Sequence, residues 1–228
     1  QKLPSVNWPA TQPASKRSEY LKIGLVSDVH CNIKALEKAF ELMSSADEFC
    51  CLGDCIDQSK FSNEVVSLLR DRCVHVIQGN HEEVFFGRGS ERARSHDWID
   101  AELMTWLESR DPEVELERCG KRIHLVHSTP WHPRGEYVTP SNRQFHRFGD
   151  TESDIVIYGH THVPVAQTVD GTLIVNPGST GQGSLFGIER KMSCAILDVV
   201  TNDVELISFE SHHATVIPPS THMQQPVT

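Results

Sequence analysis

Val74-His75-Val76-Ile77-Gln78-Gly79-Asn80-His81-Glu82 is the stretch on which the reading of this chain turns. Residues 74–77 are an apolar run that predicts a buried strand, and Gly79-Asn80 directly after it predicts a sharp turn. That turn falls at the strand's carboxyl end, where open α/β sheets put their chemistry. Alone, the tetrapeptide 79–82 describes an ordinary loop. Its weight comes from other Asp and His clusters that close strands in the same way.

Upstream, residues 22–26 predict a first strand that closes on Ser27-Asp28-Val29-His30. Asn32 is a helix N-cap candidate, followed by Ile33, Leu36, Phe40 and Met43 at helical spacing. Residues 48–52 predict a second strand, closing on Gly53-Asp54, and Val65, Val66, Leu68 and Leu69 mark a second helix. Strand, helix, strand, helix, strand at this spacing predicts a right-handed parallel βαβαβ unit.

Downstream the pattern changes. Trp98, Ile99, Leu103, Trp106 and Leu107 recur at helical spacing, so residues 83–111 read as a small helical cap insertion, either plain packing or a cover for substrate. Strands are expected at 114–117 and 122–126, the second closing on His127-Ser128-Thr129-Pro130. A helix is expected over 139–148 and a strand over 154–158, closing on Gly159-His160-Thr161-His162. A hairpin about Asp170-Gly171 leads to Asn176-Pro177-Gly178-Ser179, and a last pair of strands turns about Asn202-Asp203. These elements define a domain over 19–210, with a Pro-containing tail at 1–18 (where Trp8 could dock) and a loose tail at 211–228. The α/β first half and hairpin-rich second half are both satisfied by a pair of mixed sheets flanked by helices.

The formal net charge of −10 argues against nucleic acid or an anionic membrane as partner. No apolar run approaches the roughly 20 residues of a membrane span, and the first residues lack the apolar core of a signal peptide. Seven cysteines without a framework spacing read as reduced, mostly buried thiols, which points to the cytoplasm. Cys51 and Cys55 flank the Gly53-Asp54 turn, but no second close pair completes a zinc ribbon. Thirteen histidines raise the expectation of a metal site. The oligomeric state is not legible.

The strand ends gather Asp28, His30, Asp54, Asn80, His127, His160 and His162. Asp-x-His and His-x-His put both side chains on one face of an extended segment, so each pair can reach one ion or two neighbours. The mixed oxygen and nitrogen set, without thiolate, suits manganese, iron, zinc, cobalt or nickel. Seven ligands are too many for one tetrahedral ion and fit two ions if one carboxylate bridges. Such a pair clamps a phosphoryl group and holds a shared hydroxide for in-line attack, and a nearby unbound His then protonates the leaving oxygen.

These residues, in this order, resemble the calcineurin-like metallophosphoesterase superfamily. Its pattern stands here as Asp28-Val29-His30, Gly53-Asp54-Cys55-Ile56-Asp57, Gly79-Asn80-His81-Glu82, His127 and Gly159-His160-Thr161-His162, and the likeness runs from about Leu21 to Val200. The resemblance implies a four-layer αββα sandwich and a phosphatase or phosphodiesterase acting on a small phosphoester. It implies that Asp28, His30 and His162 hold one metal, that Asn80, His127 and His160 hold the other, and that Asp54 bridges. It implies that His81 is the acid or binds a phosphate oxygen. Protein Ser/Thr phosphatases of the superfamily carry Arg-Gly after the second motif's last Asp. Gln58-Ser59 stand here, which argues against a phosphoprotein substrate, while Val126-His127-Ser128-Thr129-Pro130 with Asn176-Pro177-Gly178-Ser179 resembles the compact bacterial and archaeal branch.

Around this set, Asp57 can orient His81 or cap the next helix. Arg134, Arg143 and Arg147 are candidates for the missing phosphate-binding arginine, with Arg134 chosen for substrate binding. His132 can touch substrate, His75 and His124 read as structural strand residues, His212 and His213 as surface, and Asn176 and Ser179 as turn-shaping. The alternative function is a catalytically silent protein-interaction scaffold on the same fold. A metal-binding regulatory module is a third.

Overall fold

The structure, a computed structural model, describes residues 20–186, 189–210 and 214–217. The expected tail at 1–18 with Trp8, and His212 and His213, lie outside them. Two mixed sheets carry the fold. The first runs β12(Ala214–Ile217), β11(Val204–Phe209), β10(Glu189–Asp198), β1(Lys22–Val26), β2(Glu48–Cys51), β3(His75–Val76), with β9(Ser184–Phe186) paired to β10. The second runs β4(Glu113–Arg118), β5(Lys121–Val126), β6(Ile155–Ile157), β8(Thr172–Asn176), β7(Val165–Val169). β1, β2 and β3 are mutually parallel, as the strand–helix alternation requires, and β10 closes on β1 antiparallel. β5, β6 and β8 are parallel, with β4 and β7 added antiparallel at the edges.

The period-two alternation of strand side chains sorts the layers. Ile23 and Leu25 of β1, Ala195 and Leu197 of β10, and Ile155 and Ile157 of β6 share the core between the sheets. Val26, Cys194 and Ile196 point the other way, onto α1(Ile33–Leu42) and α2(Asn63–Arg72). Val156 and Ile174 face a third cluster with Phe145, Phe148 and Tyr158. Each fully buried Leu, Ile or Phe contributes about 1.5–3 kcal/mol. Asn32 caps α1 by accepting from Ala35 N–H at 3.1 Å. The helix buries Leu36, Ala39 and Phe40 at the expected spacing.

Several boundaries differ from expectation. The helix expected at 139–148 is a 3-10 helix over Arg143–Asp150, so the outer layer of the second sheet is thin. Asn142 starts it by accepting from Gln144 N–H, two residues on. The turn at Gly79-Asn80 is a helix start. α3(Asn80–Phe86) begins there, followed by α4(Glu91–Arg94) and α5(Ala101–Glu108). Phe85, Ile99, Leu103 and Leu107 of the 83–111 segment are buried in the same cluster as residues of α1 and α2. Residues 214–217 form an edge strand on β11 where a loose tail was expected, so the sheet extends past 210. All seven cysteines are thiols, and Cys50, Cys51, Cys55 and Cys194 are buried as small apolar residues. Among the described residues no helix is long and apolar enough to cross a membrane.

Candidate active site

Parallel strands β1, β2 and β3 end side by side, so the loops after them meet. Asp28, His30, Asp54, His160 and His162 all have φ between 45° and 63°. Left-handed backbone at non-glycine residues costs roughly 1–3 kcal/mol each and persists where the surroundings over-determine it, as at functional sites. The extended geometry expected for Asp28-x-His30 and His160-x-His162 is therefore absent. As a result the two histidines of the second pair part company.

His162 joins Asp28 and His30, while His160 joins Asp54 and His127. In the first group His162 Nε2 is 3.3 Å from Asp28 Oδ1 and 3.3 Å from His30 Nε2. In the second, His127 Nε2 is 3.4 Å from Asp54 Oδ2 and 3.1 Å from Asn80 Oδ1. All seven expected ligands are thus brought together in two adjoining clusters. Two atoms decide what such clusters accommodate. His160 Nε2 is buried with no hydrogen-bond partner, and Asp28 Oδ1 is buried with only the ion contact to His162. Orphaned buried polar atoms are rare, and a divalent cation would satisfy both. The donor set, imidazole and carboxylate with one amide oxygen, is that of a borderline divalent ion.

The surrounding hydrogen bonds fix which atoms face inward. His127 Nδ1–H donates to the Leu52 carbonyl at 2.6 Å, which turns Nε2 toward Asp54 and Asn80. Asp28 Oδ2 accepts from Ser27 Oγ at 2.6 Å and from His160 N–H at 3.0 Å, which leaves Oδ1 for the cluster. Burial disfavours charge on Asp54 and on His127, but each is opposed by its neighbour. Asp54 is held well below the usual carboxylate range, and His127 is pushed up to about 10. Burial, and then the cationic His127, push His160 down to about 4.

Asp57 corrects both expectations for it. Its Oδ1 lies 3.2 Å from His30 Nδ1 but 3.9 Å from His81 Nδ1, so the hydrogen bond goes to His30. The cap of α2 is Ser62. Asp57 thus orients a candidate metal ligand, as carboxylates behind metal-bound histidines do. His81 is set by the backbone instead. Its Nδ1 accepts from Gln58 N–H at 3.2 Å, so in the neutral ring the proton sits on Nε2, 3.9 Å from Asp54 Oδ2.

Arg134 is engaged by Glu83 at 3.4 Å and by Gln78. Arg147 lies over Trp131, and Arg143 is exposed. His132 faces Glu136 at 3.9 Å, and His124 pairs with Glu113 at 2.9 Å as a strand residue should. Asn176 donates to the Gly159 carbonyl and Ser179 to the Asp28 carbonyl, so both shape the site's loops.

Ser27 and Glu82 are parts of the quoted motifs whose roles were not legible. Fully buried Glu82 accepts from the N–H groups of Gly79, Asp54 and Ile56 at 2.8, 2.9 and 3.1 Å. It ties the start of α3 to the Gly53-Asp54 loop. Glu82→Ala leaves three buried donors unpaired and should lower unfolding free energy by roughly 3 kcal/mol or more in a denaturant titration. The two loops touch so closely that a Cβ on Gly79 would lie 2.2 Å from Asp54 Oδ1.

A two-sheet α/β sandwich with paired Asp/His clusters at its strand ends, and His81 grouped beside them with His30 and Asp57, defines a candidate metal-dependent hydrolase. The chain belongs to the calcineurin-like phosphoesterase superfamily, whose domain pattern matches residues 21–202. It is 28% identical over 218 residues to an uncharacterized protein of Methanocaldococcus jannaschii, covering 82% of this chain and 87% of that one. It is 24% identical to a phosphodiesterase of the same organism, covering 83% of this chain and 100% of that one. The crystal structure of a metallophosphoesterase from Sphaerobacter thermophilus superposes with a TM-score of 0.71 at 25% identity, covering 84% and 89% of the two chains.

Proposed function

We propose that the protein hydrolyses a small phosphate ester, monoester or diester, using two divalent transition-metal ions. Asp28, His30 and His162 would hold one, Asn80, His127 and His160 the other, and Asp54 would bridge. The observation that carries this reading is the pair of buried atoms without a hydrogen-bond partner, Asp28 Oδ1 and His160 Nε2, one in each cluster. Manganese, iron, zinc, cobalt and nickel all suit the donor set. When bound, such ions supply a nucleophilic hydroxide and Lewis-acid neutralisation of phosphoryl charge.

The chain's own residues do the rest. His81 turns Nε2 toward the clusters, where as the imidazolium it gives its proton to the departing ester oxygen. Asn80 presents its amide beside His127, where it also faces a phosphoryl oxygen. Asp57 fixes the ring of His30 and so preserves the geometry of the first cluster. Arg134, in the loop after β5 and paired with Glu83 of α3, is the arginine we assign to the substrate's far side. The thiol state of the cysteines favours the cytoplasm, and the net charge favours a small-molecule phosphoester partner over nucleic acid or membrane.

A panel of nitrophenyl monoesters and diesters, cyclic nucleotides and sugar phosphates, run metal by metal, tests the reading. Turnover of at least one class with a transition metal is expected. Metal-bound protein that hydrolyses none of them would be a binding scaffold on this fold instead.

A further inference from the structure

Tyr137 has no part in the ligand set or in proton delivery, yet it stands at the mouth of the site. It follows β5 in the chain and is 67% exposed. Its ring centroid lies 3.9 Å from that of His160, with the planes inclined by 33°. His160 is the residue whose buried Nε2 has no partner, so one imidazole ring separates Tyr137 from the second cluster.

The display is built, not incidental. On one side, Glu136 N–H donates to Ser128 Oγ at 2.9 Å, and the Glu136 carboxylate accepts from the Trp131 indole at 2.7 Å. On the other, Val138 is buried and its carbonyl accepts from Tyr158 OH at 3.2 Å. The Tyr137 carbonyl itself accepts from Asn142 at 3.3 Å. Both neighbours are pinned, so the ring is held outward with one face on His160 and the other toward solvent. Partial burial and the carboxylates of Asp54 and Asp28 raise the phenol above its ordinary value, so the ring stays neutral at physiological pH. A cation on His160 would make its imidazole electron-poor and strengthen the contact with the tyrosine face.

We propose that Tyr137 is a stacking platform that selects phosphoesters with a planar aromatic arm, aryl or nucleobase-bearing, whose phosphate lies in the paired clusters. The proposal rests on the phosphoesterase reading above. A solitary exposed aromatic is ordinary on a protein surface. What separates this one is its contact with a candidate ligand ring and its anchored flanks.

The test uses phenylphosphonate and cyclohexylphosphonate, which match in carbon number and carry a carbon–phosphorus bond that hydrolysis does not break. Their affinities for the manganese-loaded full chain are measured by calorimetry. The wild type should bind the phenyl compound roughly fivefold tighter, the preference expected of an aromatic pair. Tyr137→Leu should erase that preference and Tyr137→Phe should keep it. Equal affinities in the wild type, or a preference that survives in Tyr137→Leu, would overturn the platform and leave the phosphoesterase reading standing. Binding of neither phosphonate would overturn both.

Discussion

Asp54→Asn should reduce phosphoester turnover by roughly a thousandfold or more. Asp54 sits where three elements meet. Its Oδ1 accepts from His81 N–H at 2.9 Å, at the first turn of α3. Its Oδ2 lies 3.4 Å from His127 and 3.9 Å from His81. Its own N–H donates to Glu82. Asparagine keeps the shape and one acceptor oxygen, so the fold should survive. What disappears is the only carboxylate charge in the His127–His160 cluster. Without it, the assigned bridge between two ions has a neutral amide, and several kcal/mol of charge stabilisation goes with it. Steady-state kinetics with bis-nitrophenyl phosphate, alongside circular dichroism, checks this. A folded variant with near wild-type kcat/KM would remove Asp54 from the mechanism.

His81→Ala should lower turnover about 10²- to 10⁴-fold while leaving ion content unchanged. His81 belongs to neither of the clusters that hold the seven assigned ligands, although it lies beside Asp57 and His30. Its Nδ1 lies against Gln58 N–H, so Nε2 is the nitrogen that faces the clusters. The loss should depend on the leaving group. Alkyl esters, whose alkoxide must be protonated as it departs, should suffer far more than nitrophenyl esters, whose phenolate leaves unaided. A loss equal for both would make His81 a phosphate-binding group and not an acid. A loss of bound metal would make it a ligand.

The fold was legible where local signals agreed. β1, α1 and β2 announced themselves by an apolar run, an Asn32 cap and a second run, and their parallel pairing follows from the crossover. The seven candidate ligands were legible because Asp and His close strand after strand. What was not legible depends on groups far apart in sequence or on backbone conformation. The left-handed φ of His160 and His162, found where extended geometry was expected, leaves no mark in residue type, although the resemblance had already assigned the two to different ions. Asp57 reaches His30 across 27 residues, where the sequence suggested His81 or a helix cap. Glu82 reads as an ordinary first-turn acid until its three backbone donors are counted. The edge strand at Ala214–Ile217 depends on an open edge of β11 that only the assembled sheet provides.

The central claim is that the two clusters are metal sites of a working hydrolase. It is tested most directly by elemental analysis of the purified full chain after expression with manganese and iron supplied. About two transition-metal ions per chain are expected, removed by chelation together with all phosphoesterase activity and restored together on metal return. A chain that carries no transition metal, or that hydrolyses phosphoesters equally well after complete chelation, would contradict it.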